Sequence, residues 1–80
     1  MRQLKLIWDF KGPDGAKTAE HHAHHLKEFM ATSQHPHLII GFEVLHELHA
    51  IAYLIVPEDE MKPLRDTLKP HRGQVYVPQK

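Results

Sequence analysis

Near the N-terminus, Leu4, Leu6, Trp8 and Phe10 alternate with Lys5, Ile7, Asp9 and Lys11. A period of two over that length predicts a β-strand across 3–11. Gly12-Pro13-Asp14-Gly15 breaks it, and Pro13 or Asp14 suits the start of a helix, where the first N–H groups need no intrahelical acceptor. The period then lengthens. Over 16–33, Ala19, Ala23, Leu26 and Met30 fall at i, i+4, i+7 and i+11, a narrow apolar stripe flanked by Ala16 and Phe29. Gln34-His35-Pro36-His37 is expected to end this helix.

The next apolar stretch, 38–56, is too long for one strand and is broken by Gly41, Glu43 and His46-Glu47, so it divides into a hairpin turning near 46–47. Its second strand, 48–56, is apolar on both faces: Leu48, Ala50, Ala52 and Leu54 on one, Ile51, Tyr53 and Ile55 on the other. That marks a central strand. Pro57 introduces Glu58-Asp59-Glu60, acidic residues suited to a helix N-terminus, and Met61, Leu64 and Leu68 stripe a short helix. Pro63 is expected within its first turn, and Pro70 closes it. Gly73 leads into a last strand over 74–77. The order β-α-β-β-α-β predicts one α+β domain over 1–80, a four-stranded antiparallel sheet with two helices on one face. The other face would carry Ile7, Ile51, Tyr53 and Ile55, an apolar patch that predicts a homodimer through the non-helical sheet face.

Composition removes several function classes. Without cysteine there is no disulfide, thiolate or iron–sulfur chemistry, which suits a cytoplasmic protein. Ten basic and ten acidic side chains cancel with no basic cluster, so no nucleic-acid partner is expected. The longest apolar run, 50–56, is far below the roughly 20 residues of a membrane span, and 1–5 has no secretory apolar core, so no membrane partner is expected. The abnormal feature is nine histidines in eighty residues.

Four of the nine lie within the first helix. Glu20-His21-His22-Ala23-His24-His25 lies inside the first helix. At 100° per residue, His21, His24 and Glu28 fall opposite the apolar stripe, His25 at its boundary, and His22 at the edge of the buried face. Imidazoles three or four residues apart can chelate one divalent transition metal ion, so His21, His24, His25 and Glu28 are candidate ligands for zinc, copper, nickel or iron. A tight site needs further ligands from elsewhere in the fold.

A second cluster follows from topology. With the first and third strands antiparallel neighbours, Asp9 approaches His49 on the non-helical face, the hairpin turn brings His46 and Glu47, and the loop after the second helix delivers His71 and Arg72. A carboxylate beside an imidazole fixes its tautomer for acid–base work, which makes Asp9, His49 and His71 candidate catalytic groups. Arg72 and His46 would bind the substrate, the guanidinium gripping a carboxylate or phosphate.

This element order is similar to that of the ferredoxin-like small domains, and to the dimeric α/β barrels made when two such sheets pack face to face. The likeness covers most of the chain and rests on no motif. It implies a fold that hosts metal chaperones, ligand sensors, isomerases and small oxygenases alike. The copper-chaperone branch carries paired cysteines in its first loop, which this chain lacks. Three expectations remain: a domain binding a transition metal or small ligand through histidine, a small enzyme acting on an anionic small molecule with or without metal, and an interaction module without catalysis.

Overall fold

The computed structural model describes residues 2–32 and 39–76. The elements are β1 (Gln3–Lys11), α1 (Gly15–Ala31), β2 (Ile39–His46), β3 (His49–Pro57), α2 (Glu58–Leu68) and β4 (Arg72–Tyr76). They form one antiparallel sheet in the order β2-β3-β1-β4. This is the ferredoxin-like α+β fold. The 34–37 segment expected to end α1, and Val77, expected at the end of the last strand, lie outside the described residues. Among the described residues no helix is long and apolar enough to cross a membrane.

The even-numbered residues of β1 face the helices. Leu6 and Trp8 oppose Leu54 and Ala52 of β3, and with Val56 they pack against Ala23, Leu26 and Met30 of α1 and Leu64 of α2. Burying a side chain the size of Leu54 contributes about 2 kcal/mol. Ala19 and Ala23 on α1, with Ala50 and Ala52 on β3, are all buried, so a helix of small residues rests on a strand of small residues. The strand is buried on both faces because it is central in the order as well as covered by α1.

The opposite face departs from expectation. Ile7, Ile51 and Ile55 retain only 2, 4 and 3% of their exposure in the single chain, so these three side chains are covered within it. Long amphipathic side chains account for part of this: Lys5 reaches across the face to set its ammonium 4.6 Å from the centre of the Tyr53 ring. An aliphatic stem laid over apolar neighbours leaves only its charged tip to solvent. Tyr53 in turn lies towards β2, over Gly41. A β-carbon at Gly41 would come within 2.6 Å of the tyrosine hydroxyl, so a residue without a side chain is required there.

Two boundaries shifted. Pro63 is the sixth residue of α2, not in its first turn. It removes one helical hydrogen bond, to the Asp59 carbonyl, but on a face where both residues are exposed and water can take the bond. α2 ends on Lys69 in the left-handed region, φ 50°, with its N–H bonded to the Arg65 carbonyl. The last strand begins at Arg72, two residues earlier than its alternation suggested. The hairpin turns where expected, with an irregularity between Val44 and His46.

Candidate functional site

β4 pairs with β1 only as far as Ile7, which leaves the last residues of β1 without a strand on that side. His71 fills the gap. Its backbone N–H donates to the Ile7 carbonyl at 2.9 Å, and its ring takes the next place along the ladder, Nδ1 accepting the Asp9 N–H at 2.8 Å. An Nδ1 that accepts must carry its lone pair there, so the neutral ring holds its proton on Nε2.

The Asp9 side chain points to the non-helical face, where its diagonal neighbour on β3 is His49. His49 Nε2 stands 2.8 Å from Asp9 Oδ1. From β4, Arg72 donates through Nε to Oδ2 at 3.0 Å and through Nη2 to Oδ1 at 3.1 Å, a two-pronged grip on the carboxylate. The Arg72 bond above all, opposed by burial and assisted by His49, holds the Asp9 carboxyl down at about 2. The same contact raises the Arg72 pKa further above its ordinary value. Asp9 therefore remains an anion at any physiological pH. Facing that anion, His49 donates from Nε2, and its free lone pair is on Nδ1. The Asp9 and His49 side chains are about one-fifth exposed, and Arg72 about half.

His46 completes the group. Its ring lies edge-on to that of His49, centres 5.9 Å apart, and its Nδ1 accepts the Leu48 N–H at 3.2 Å across the turn. All five residues expected at this end of the sheet thus meet there. Two donors of Arg72 are committed to Asp9, so only the rest of its guanidinium is free for another group.

Beside this network a cleft of about 390 Å³ opens between α2 and β4, lined in part by Leu4, Leu6, Met61, Arg65, His71 and Arg72. Asp9 and His49 are not in its lining. Gly73, with no side chain, faces Leu6 across the strand pair and leaves that part of the cleft open.

His22, expected at the edge of the buried face, has neighbours that helical spacing could not name. Its ring centre is 5.0 Å from that of Trp8 and 5.4 Å from that of Phe10, and Phe10 also meets His71 at 6.4 Å. His22 Nε2 is enclosed without a hydrogen-bond partner among the described residues. Loss of water lowers its pKa, with His25 and His71 adding to the effect. Trp8 avoids the same fate, because its indole N–H donates to the Leu68 carbonyl at 3.2 Å.

The remaining α1 histidines stand in solvent. His21 and His25 place their ring centres 5.7 Å apart, and Glu28 Oε1 lies 3.7 Å from His24 Nε2 and 3.6 Å from His25 Nδ1, at side chains about two-thirds exposed. Among the described residues no group of three or more histidine or acidic side chains is placed to hold a metal ion. The pairs expected from the helical spacing are present, and no described residue joins them as a further ligand. Arg65 had not been singled out in the sequence, since nothing there shows that α2 turns it towards β4. Comparison of the chain with protein-family models, curated proteins and solved structures gave no match.

Proposed function

We propose that this domain binds a small anionic molecule in the cleft between α2 and β4, with Arg65 as its cation. The observation that carries the reading is the cleft itself, about 390 Å³, where Arg65 of α2 and His71 stand beside an apolar wall, while Asp9 holds the Arg72 guanidinium on the opposite face of the sheet. Arg65 and His71 add donors, and Leu4, Leu6 and Met61 offer an apolar wall. That combination suits a carboxylate or phosphate carried on a small apolar body. A chain without cysteine fits a reducing compartment such as the cytoplasm.

Titration of the labelled protein with short-chain carboxylates and phosphate monoesters tests this by NMR. Saturable shifts at the Leu6, Arg72 and Gly73 amides are expected, with affinity weakened about tenfold by Arg65→Ala, the loss of one charge-assisted bond. Unchanged spectra at millimolar ligand would remove the reading.

A catalytic reading has one specific support, the Asp9–His49 bond of 2.8 Å, which leaves His49 Nδ1 as an oriented base. His49 is on the face of the sheet opposite the cleft, so this reading requires a substrate anion held there by the uncommitted part of the Arg72 guanidinium. His49→Gln would then abolish turnover while leaving binding in the cleft intact.

A further inference from the structure

Of the seven large hydrophobic side chains left exposed among the described residues, five lie on β2 or its turn: Ile39, Phe42, Val44, Leu45 and Leu48. Ile39 and Val44 are about 50% exposed and Phe42 40%. β2 is also an edge strand, so one row of its backbone N–H and C=O groups faces away from the sheet. The irregularity between Val44 and His46 aside, it carries few of the usual deterrents to strand addition. There is no lysine, no proline, and a single charge, Glu43.

We propose that β2 pairs with β2 of a second copy of this chain, antiparallel about a two-fold axis at Phe42, joining two four-stranded sheets into one of eight strands. The sequence of β2 selects both partner and register. In a two-fold antiparallel pair the axis passes through one residue position, and directly opposed residues share a face. An axis at Glu43 sets two carboxylates against each other, which destabilises a strand pair. An axis at Gly41 pairs only 39–43. An axis at Phe42 opposes Ile40 to Val44 on the helix side, Phe42 to itself, and Glu43 to Gly41 of the other copy.

That last opposition is complementary. The Tyr53 hydroxyl lies over Gly41, on the face that Glu43 shares. In the pair, each Glu43 carboxylate meets the partner's tyrosine O–H, which can donate to it. Two strands of this length with their half-exposed apolar side chains bury roughly 600 Å² a side, at the low end for specific interfaces, so the dimer is expected in the micromolar range. The proposal is independent of the anion site, which lies near β4.

The chain has no cysteine, so single introduced cysteines read the register directly. At the axis, directly opposed Cα atoms stand about 5 Å apart, within the span of a disulfide. Two residues along, the like positions are about 13 Å apart and cannot be bridged. Phe42→Cys should therefore form a covalent dimer on mild oxidation, and Val44→Cys should not. Both positions are exposed in the single chain, so neither substitution disturbs the core. Sedimentation of the unmodified protein should show a concentration-dependent dimer, weakened at least tenfold by Glu43→Lys. A monomer at every concentration, or equal cross-linking of the two cysteine variants, would overturn the proposal. So would a dimer indifferent to Glu43→Lys but lost on Lys5→Glu, which would assign it to the non-helical face.

Discussion

Two groups of imidazoles in this molecule differ in what holds them. On α1, His21, His24 and His25 stand in solvent, and the carboxylate that His24 and His25 share lies beyond 3.5 Å. At the end of the sheet, His49 and His71 each make a 2.8 Å bond, one to a carboxylate and one to a backbone N–H. The abundance of histidine drew attention to the helix, yet the fixed rings are those brought together across strands. Sequence density of a residue type says little about order. Order comes from partners, and partners come from the register of the sheet.

The comparison is most exposed to test at Asp9. Asp9→Ala removes the acceptor of both Arg72 and His49, and a loss of about 1–2 kcal/mol is expected after allowance for the half-exposed guanidinium. In a domain of this size that lowers the melting temperature by roughly 5–10 °C. The acid limb of stability changes with it. The Asp9 carboxyl is depressed in the fold, so its contribution is complete above its ordinary value of 3.8 and is lost as pH falls through about 2. Thermal melts of the parent should lose stability between about pH 4 and pH 2, and the variant should lose less. Equal acid slopes would show that the network at the sheet end is no firmer than the helix surface.

His22 tests the boundary between the two groups, since it belongs to α1 but packs on β1. Its pKa is lowered by burial, so below its ordinary value of 6.5 the unfolded chain binds more protons than the folded one. Stability is full above that pH and declines as pH falls below it. His22→Phe, which keeps a ring against Trp8 and Phe10, should flatten the decline, as chemical denaturation at a series of pH values would show. A variant as acid-sensitive as the parent would place the effect in other histidines.

The smallest effect is expected from His21→Ala/His25→Ala. With both rings in solvent, stability should change by less than about 0.5 kcal/mol. Tag-free protein dialysed and assayed for zinc, copper, nickel and iron by mass spectrometry decides whether the pair holds metal. Stoichiometric metal lost in the double variant would raise the helix group above the sheet end as a functional site. Weak, unselective uptake would leave it as a polar surface.

Much of the fold was legible because its signals are local. The stripe Ala19, Ala23, Leu26, Met30 is, with Gly15, the set that α1 buries, and the two-sided apolarity of 48–56 marked β3 as central. The meeting of Asp9 with His49 was also within reach, since it needs only the antiparallel pairing of β1 with β3 and the alternation of faces. What could not be read depends on side chains that lie down instead of standing up. Lys5 reaching across to Tyr53, and Tyr53 over Gly41, lie along a face that alternation alone would leave bare. The aromatic neighbours of His22 depend on the rotation of α1 against the sheet, which a stripe locates only to within a residue or so.

The His71 ring has one more consequence. By accepting the Asp9 N–H it stoppers the stretch of β1 that β4 leaves uncovered, and β4 itself is five residues with an arginine, a glycine and a glutamine. The sheet is therefore adhesive along one margin and blunt along the other. A sheet sticky on both sides grows without limit, as fibrils do. One with a single sticky side can recruit one copy and then has nothing left to offer, so growth by strand addition terminates at two chains and the proteins in a concentrated solution stay countable.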